Sequence, residues 1–120
     1  MAELFHLADR REWLAAAAAG EYRMSTRGVT LAEQGFIHSS LRHQLRGVAD
    51  QYYADADDLV LLVIDGSRVD APIRYEAPAD GSEEYPHIYG PLPAEAVTAV
   101  FPVGRDQAGR LGLPEHAVDY

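Results

Sequence analysis

The chain has 120 residues, 48% of them apolar, no cysteine and a formal net charge of −9. This is enough chain for one domain whose core needs no metal or disulfide staple. The absent cysteines exclude disulfides, thiolate metal sites and a cysteine nucleophile, and the acidic balance is unsuited to general nucleic-acid binding or anionic membranes.

In chain order, Glu3 to Ala8 reads as a first strand, with His6 among Leu4, Phe5 and Leu7. Met1 to Leu4 lacks a basic start and a long apolar run, so no signal peptide is expected and a cytoplasmic location is the default. Asp9, with Glu12 three residues on, has the spacing of a capping box. It opens a helix whose apolar side is Trp13, Leu14, Ala17 and Ala18 and whose C-cap is Gly20. The alanine run 15–19 is far too short to span a bilayer. Thr30 with Glu33 repeats the capping-box spacing, so Leu31 to Gln34 is expected to be one helical turn closed by Gly35. Phe36-Ile37-His38 then reads as a short strand, and Ser39 or Ser40 as the N-cap of a helix from Leu41 to about Tyr53.

Asp55 to Asp58 is an acidic loop, and Leu59 to Ile64 is the most strongly apolar segment, expected to be the central strand. Ile73 to Glu76 alternates as a shorter strand. A loop over 77–84 contains Pro78, Asp80 and Gly81, and Tyr85 to Leu92 follows it. Ala96 to Val103 closes the domain, which is expected to cover residues 1–103. The tail 104–120, with three glycines and Pro114, is expected to pack weakly. Helices early and strands late predict an α+β fold with two main helices and a twisted, mostly antiparallel sheet. Classical Gly-rich dinucleotide and Walker loops are absent.

Three histidines, His6, His38 and His87, lie in three apolar strands. Strand periodicity puts His87 with Tyr89, and His38 with Ser40, on common faces. Facing one cleft, these imidazoles, hydroxyls and phenol suit a sugar or a phosphate. The turn at Ser39 and Ser40 adds backbone N–H groups at a helix start, a place for an anion. Three histidines equal a catalytic zinc sphere in number but lack paired-ligand spacing, so no metal is expected. A Ser-His-Asp hydrolase ranks lower still, without a Gly-x-Ser-x-Gly elbow. His43 and His116 read as solvated. Glu76 ends a strand with Arg74 on its own face, which leaves open a surface ion pair or a site carboxylate.

Together, Phe5-His6-Leu7, Gly35 to Ser40, Leu59 to Asp65, Arg74-Tyr75-Glu76 and Tyr85 to Leu92 resemble the bacterial and plant family called domain of unknown function 952. That family is grouped by fold with the ADP-ribosyltransferases, which split NAD between nicotinamide and ribose. The resemblance implies a split, twisted antiparallel sheet around an NAD-binding cleft. It implies that His6 holds the nicotinamide-side ribose, with His38 and Ser40 as second-strand contacts. The third-strand position falls on His87, where toxins of the superfamily carry a glutamate; His87 there resembles RNA 2′-phosphotransferases. Glu76 could supply the missing carboxylate, Tyr89 or Tyr22 could stack on nicotinamide, and the diphosphate would lie near Ser39 and Ser40. The expected function is therefore an enzyme using NAD or ADP-ribose, by transfer, glycohydrolysis or 2′-phosphate removal. His87, Glu76 and Tyr89 would be its catalytic residues, a small nucleotide its partner, and no metal would be needed. The alternative is a non-catalytic nucleotide- or ADP-ribose-binding module, and a zinc hydrolase is a weaker third.

Overall fold

The structure, a computed structural model, describes residues 3–78 and 83–114. In order the chain forms β1 (Glu3–Asp9), α1 (Arg10–Ala19), β2 (Glu21–Tyr22), β3 (Met24–Thr26) and β4 (Val29–Thr30). It continues with α2 (Leu31–Gln34), β5 (Ile37–His38), α3 (Arg42–Tyr52), β6 (Leu59–Asp65), β7 (Ile73–Glu76) and β8 (Tyr85–Ile88). It ends with β9 (Leu92–Pro93), β10 (Val97–Arg105) and β11 (Leu111–Gly112). The fold is α+β, with two main helices and the one-turn α2. No helix among the described residues is long and apolar enough to cross a membrane.

The main sheet runs β1-β6-β10-β11, and a smaller one runs β5-β8-β7. Among the described residues, all the strand pairs formed are antiparallel. β6 lies between β1 and β10 because its residues Leu59 to Ile64 are apolar on both faces, and all of them are buried. Alternation sorts the side chains into two cores. Phe5, Leu7, Leu61 and Val63 pack under Leu45, Ala49 and Tyr53 of the α3 side. Leu4, Ala8, Leu62 and Ile64 pack against Trp13, Tyr22, Ile37 and Ile88 on the other face.

Local signals set the helix ends. Asp9 accepts from the N–H groups of Arg11 and Glu12, and Gly20 terminates α1 at φ 96°, a left-handed conformation that glycine adopts without steric cost. Thr30 and Glu33 exchange both bonds of a capping box, and α2 stops at Gly35 as the spacing predicts. The start of α3 differs from expectation. Its N-cap is Leu41, and the helix begins at Arg42. Gln44 folds back to cap it, its Oε1 accepting from the Leu41 N–H at 2.9 Å. Ser39 and Ser40 do not cap: the Ser39 hydroxyl donates to the Pro86 carbonyl, and the Ser40 backbone is paired with Phe5.

The tail also differs from expectation. β10 runs past residue 103, and Gly104 and Arg105 pair with Gly112 and Leu111. Asp106 closes the connecting turn by accepting from the N–H groups of Ala108 and Arg110. Arg46 of α3 donates to the Leu111 carbonyl at 2.7 Å. Leu111 and Leu113 are buried in the α3-side core. Residues 104–114 are thus part of the domain, because two leucines outweigh the glycines around them. His116 and the rest of the tail lie outside the described residues. Leu111→Ala is expected to cost about 2–4 kcal/mol, the usual range for a buried leucine. Urea unfolding measures it, and a loss below about 0.5 kcal/mol, the size of a surface change, would show the arm to be peripheral.

Candidate functional site

The two sheets meet at one seam. Phe5 and Ser40 exchange both backbone hydrogen bonds at 2.8 Å. Beside them His6 Nδ1 lies 2.5 Å from the His38 carbonyl oxygen. A carbonyl only accepts, so Nδ1 carries the proton and Nε2 accepts from the Tyr22 hydroxyl at 3.0 Å. Burial holds the His6 ring neutral, with its pKa pushed down to about 4. Both ring nitrogens are therefore engaged within the protein. His6 borders the cavity described below, but alternation along β1 gives the cavity face to Phe5 and Leu7. The expected hydrogen bond from His6 to a ribose is not available from this ring.

Two further expectations change for related reasons. Tyr22 is 1% exposed, sits behind His6 and does not border the cavity, so it orients His6 and cannot stack on a ligand. Ser39 donates its hydroxyl to the Pro86 carbonyl at 2.7 Å, and its N–H reaches the same oxygen at 3.2 Å. The N–H groups of Ser40 and Leu41 go to Phe5 and Gln44. The expected diphosphate cradle at this turn thus has its three leading N–H donors engaged. The Ser40 hydroxyl has no hydrogen-bond partner among the described residues and borders the cavity.

The small sheet carries the chemistry. His38 and Arg74 lie directly opposite His87 on its two sides, and Glu76 follows Arg74 by two residues, so their side chains share a face. Glu76 Oε1 accepts from His87 Nδ1 at 2.9 Å and from the Tyr89 hydroxyl at 2.5 Å. The Tyr89 hydroxyl, then His87, hold the Glu76 carboxyl below its ordinary range, so it is ionised at neutral pH. The same bond pushes the Tyr89 phenol up. His87 lies edge-on to His38 at 5.3 Å and stacks on Phe36 at 4.0 Å. Burial, then the electrostatic influence of the neighbouring His87 ring, lowers the His38 pKa. His87 Nε2 and both His38 ring nitrogens have no hydrogen-bond partner among the described residues.

These groups line one end of a cavity of about 620 Å³, within the usual ~300–1,000 Å³ of small-molecule sites. Phe5, Leu45, Val48 and Tyr52 form its apolar middle, and Thr26 and Tyr53, bonded at 2.7 Å, a second polar point. Sequence reading missed Phe36, Tyr53 and Thr26 as wall residues. Phe36, two residues before His38, was within reach of the period-two argument; the Thr26–Tyr53 pair spans 27 residues and left no local signal. Glu76, the open case, is drawn into the cluster instead of a surface pair with Arg74. Among the described residues, no three histidine or carboxylate groups converge as a metal-ligand set.

The neutral burial of His6 fixes a sign for stability. Its folded-state pKa is below the unfolded value, so above pH 6.5 neither state binds its proton. Between pH 6.5 and about 4 only the unfolded chain does, and stability falls with pH through that window. Full loss of this contribution is about 3 kcal/mol. Urea unfolding at pH 7 and pH 4 is expected to show a steeper drop in the wild type than in His6→Gln. Parallel drops would contradict the buried neutral assignment.

The sequence matches the family described as protein of unknown function (DUF952) over residues 7–100. No curated protein matches it. The crystal structure of CC0527 from Caulobacter crescentus is 28% identical, with a TM-score of 0.82, covering 96% of this chain and 97% of that one. The crystal structure of a double mutant of CC0527 gives 29% identity and a TM-score of 0.81 over the same shares. Its solution NMR structure gives 28% and 0.78, with 97% of each chain covered. With more than half of its length matched by the family, the chain belongs to DUF952.

Proposed function

We propose that the cavity binds the nicotinamide–ribose end of NAD, or a related nucleotide carrying ADP-ribose, and promotes cleavage of the bond between ribose and base. The observation that carries this reading is Glu76: an ionised carboxylate on the wall of a largely apolar and aromatic cavity, held by Tyr89 and His87. Breaking the glycosidic bond sends its electron pair to the nicotinamide nitrogen and leaves an oxocarbenium-like ribose. A fixed negative charge beside the ribose stabilises that cation more than the ground state. Water then attacks the anomeric carbon and gives up a proton, and His87 Nε2 is the base placed to receive it while Nδ1 stays on Glu76. Phe36 and Tyr89 supply flat surfaces for the base. The grouping by fold with the ADP-ribosyltransferases that the sequence resemblance implies adds to this reading, which calls for no metal ion.

A second reading, a module that binds the nucleotide without cutting it, draws on one observation. Glu76 Oε1 already accepts two bonds, so a ribose hydroxyl must share or displace a partner. The two readings separate in one assay. The first expects nicotinamide release from NAD by the wild type, lowered about a hundred-fold or more in Glu76→Gln, as for other groups that stabilise transition-state charge. His43→Ala, exposed and bonded to Glu83, is expected to change nothing. Binding of NAD without release would favour the module. Neither binding nor release at millimolar NAD would remove both.

A further inference from the structure

The charges of this protein are distributed in a way that bears on where a phosphate can lie. All ten of its cationic side chains are arginines, and none of them lines the cavity, where Glu76 is the one formally charged wall residue among the described residues. A diphosphate drawn inside would face a carboxylate with no countercharge, in a chain of net charge −9. The turn at Ser39 and Ser40 has its leading N–H groups engaged. Eight of the ten arginines are in ion pairs with Asp or Glu. Two of these, Arg27 and Arg42, touch cavity aromatics but are held by Asp55 and Glu3.

Arg74 differs. Its guanidinium lies over the Tyr89 ring, 5.1 Å from the centroid, and the residue is exposed. It is in no ion pair among the described residues. It stands opposite His87 in the β7–β8 pair, on the face that carries Glu76. A guanidinium stacked on an aromatic ring keeps its in-plane N–H fork available, and that fork matches two phosphate oxygens.

We infer that Arg74 is the phosphate contact of this site: the base and ribose enter the cavity, and the phosphate leaves it over Tyr89 to meet Arg74 at the rim. The inference rests on the nucleotide reading of the cavity and moves the phosphate from the β5–α3 turn to the edge of β7 beside Tyr89.

Calorimetric titrations of NAD, nicotinamide riboside and inorganic pyrophosphate test it, with wild type, Arg74→Gln and Arg11→Gln. Arg11 is the control, an arginine in no ion pair among the described residues and away from the cavity lining. Arg74→Gln is expected to weaken NAD roughly ten-fold, the size of a lost charge-assisted contact, and to abolish pyrophosphate binding. It should leave the riboside within two-fold, and Arg11→Gln should change none of the three. Equal weakening of NAD and riboside would overturn the inference, since Arg74 would then act through Tyr89. Unchanged NAD and pyrophosphate binding would overturn it too, while riboside binding kept the nucleotide reading standing. Arg74-dependent pyrophosphate binding, with no binding of either nucleoside ligand, would uphold the phosphate contact and remove the nucleotide reading.

Discussion

The seam between β1 and β5 is the constraint on which the rest of the structure depends. Two backbone bonds between Phe5 and Ser40, and the bond from the His6 ring to the His38 carbonyl, join the four-stranded sheet to the three-stranded one. A break there would free the small sheet from the layer that α3 packs on, and the cavity between them would lose a wall. Each bond is modest, about 1 kcal/mol net, but an unmade partner in this buried place costs more than the bond contributes. This explains a fully buried, neutral histidine in a strand: imidazole supplies one donor and one acceptor, and His38 and Tyr22 use both.

Beyond the seam, the small sheet turns a local pattern into a chemical one. Antiparallel pairing places His38, His87 and Arg74 across from one another, and the period of two adds Tyr89 and Glu76 to the same face. The carboxylate is then fixed by a phenol and an imidazole rather than by an arginine. It therefore keeps a net negative charge close to the cavity, which a salt bridge would have cancelled. That distinction separates a site able to stabilise a developing cation from a surface ion pair. The arginines complete the division: eight pair with carboxylates elsewhere, and of the other two Arg11 is away from the cavity lining while Arg74 lies over Tyr89 at the rim.

Much of this was legible in the chain because it is local. Thr30 and Glu33 announced α2, Gly20 and Gly35 the helix ends, and the apolar run of β6 its central place. The three strand histidines do border one cavity, and the resemblance to DUF952 agrees with the family match. What escaped was decided by partners far away in sequence. Ser39 reads as a helix cap until Pro86, 47 residues on, accepts its hydroxyl bond. Tyr22 reads as an available ring until β1 covers it. Leu111 and Leu113 read as tail until β10 and α3 give them a core to enter. Spacing places a side chain on a face of its own strand, but not what occupies the space beyond that face.

The central claim is that His38 and His87 face a ligand while His6 supports the wall and His43 is outside the cavity lining. The five histidines of the chain make this directly measurable. In a histidine-labelled sample, nitrogen and carbon ring resonances can be followed by NMR while nicotinamide riboside is added. The account predicts large, saturable shifts at His38 and His87, a small change at His6 and none at His43. Shifts confined to His43, or no saturable change at His38 and His87 at millimolar ligand, would contradict it.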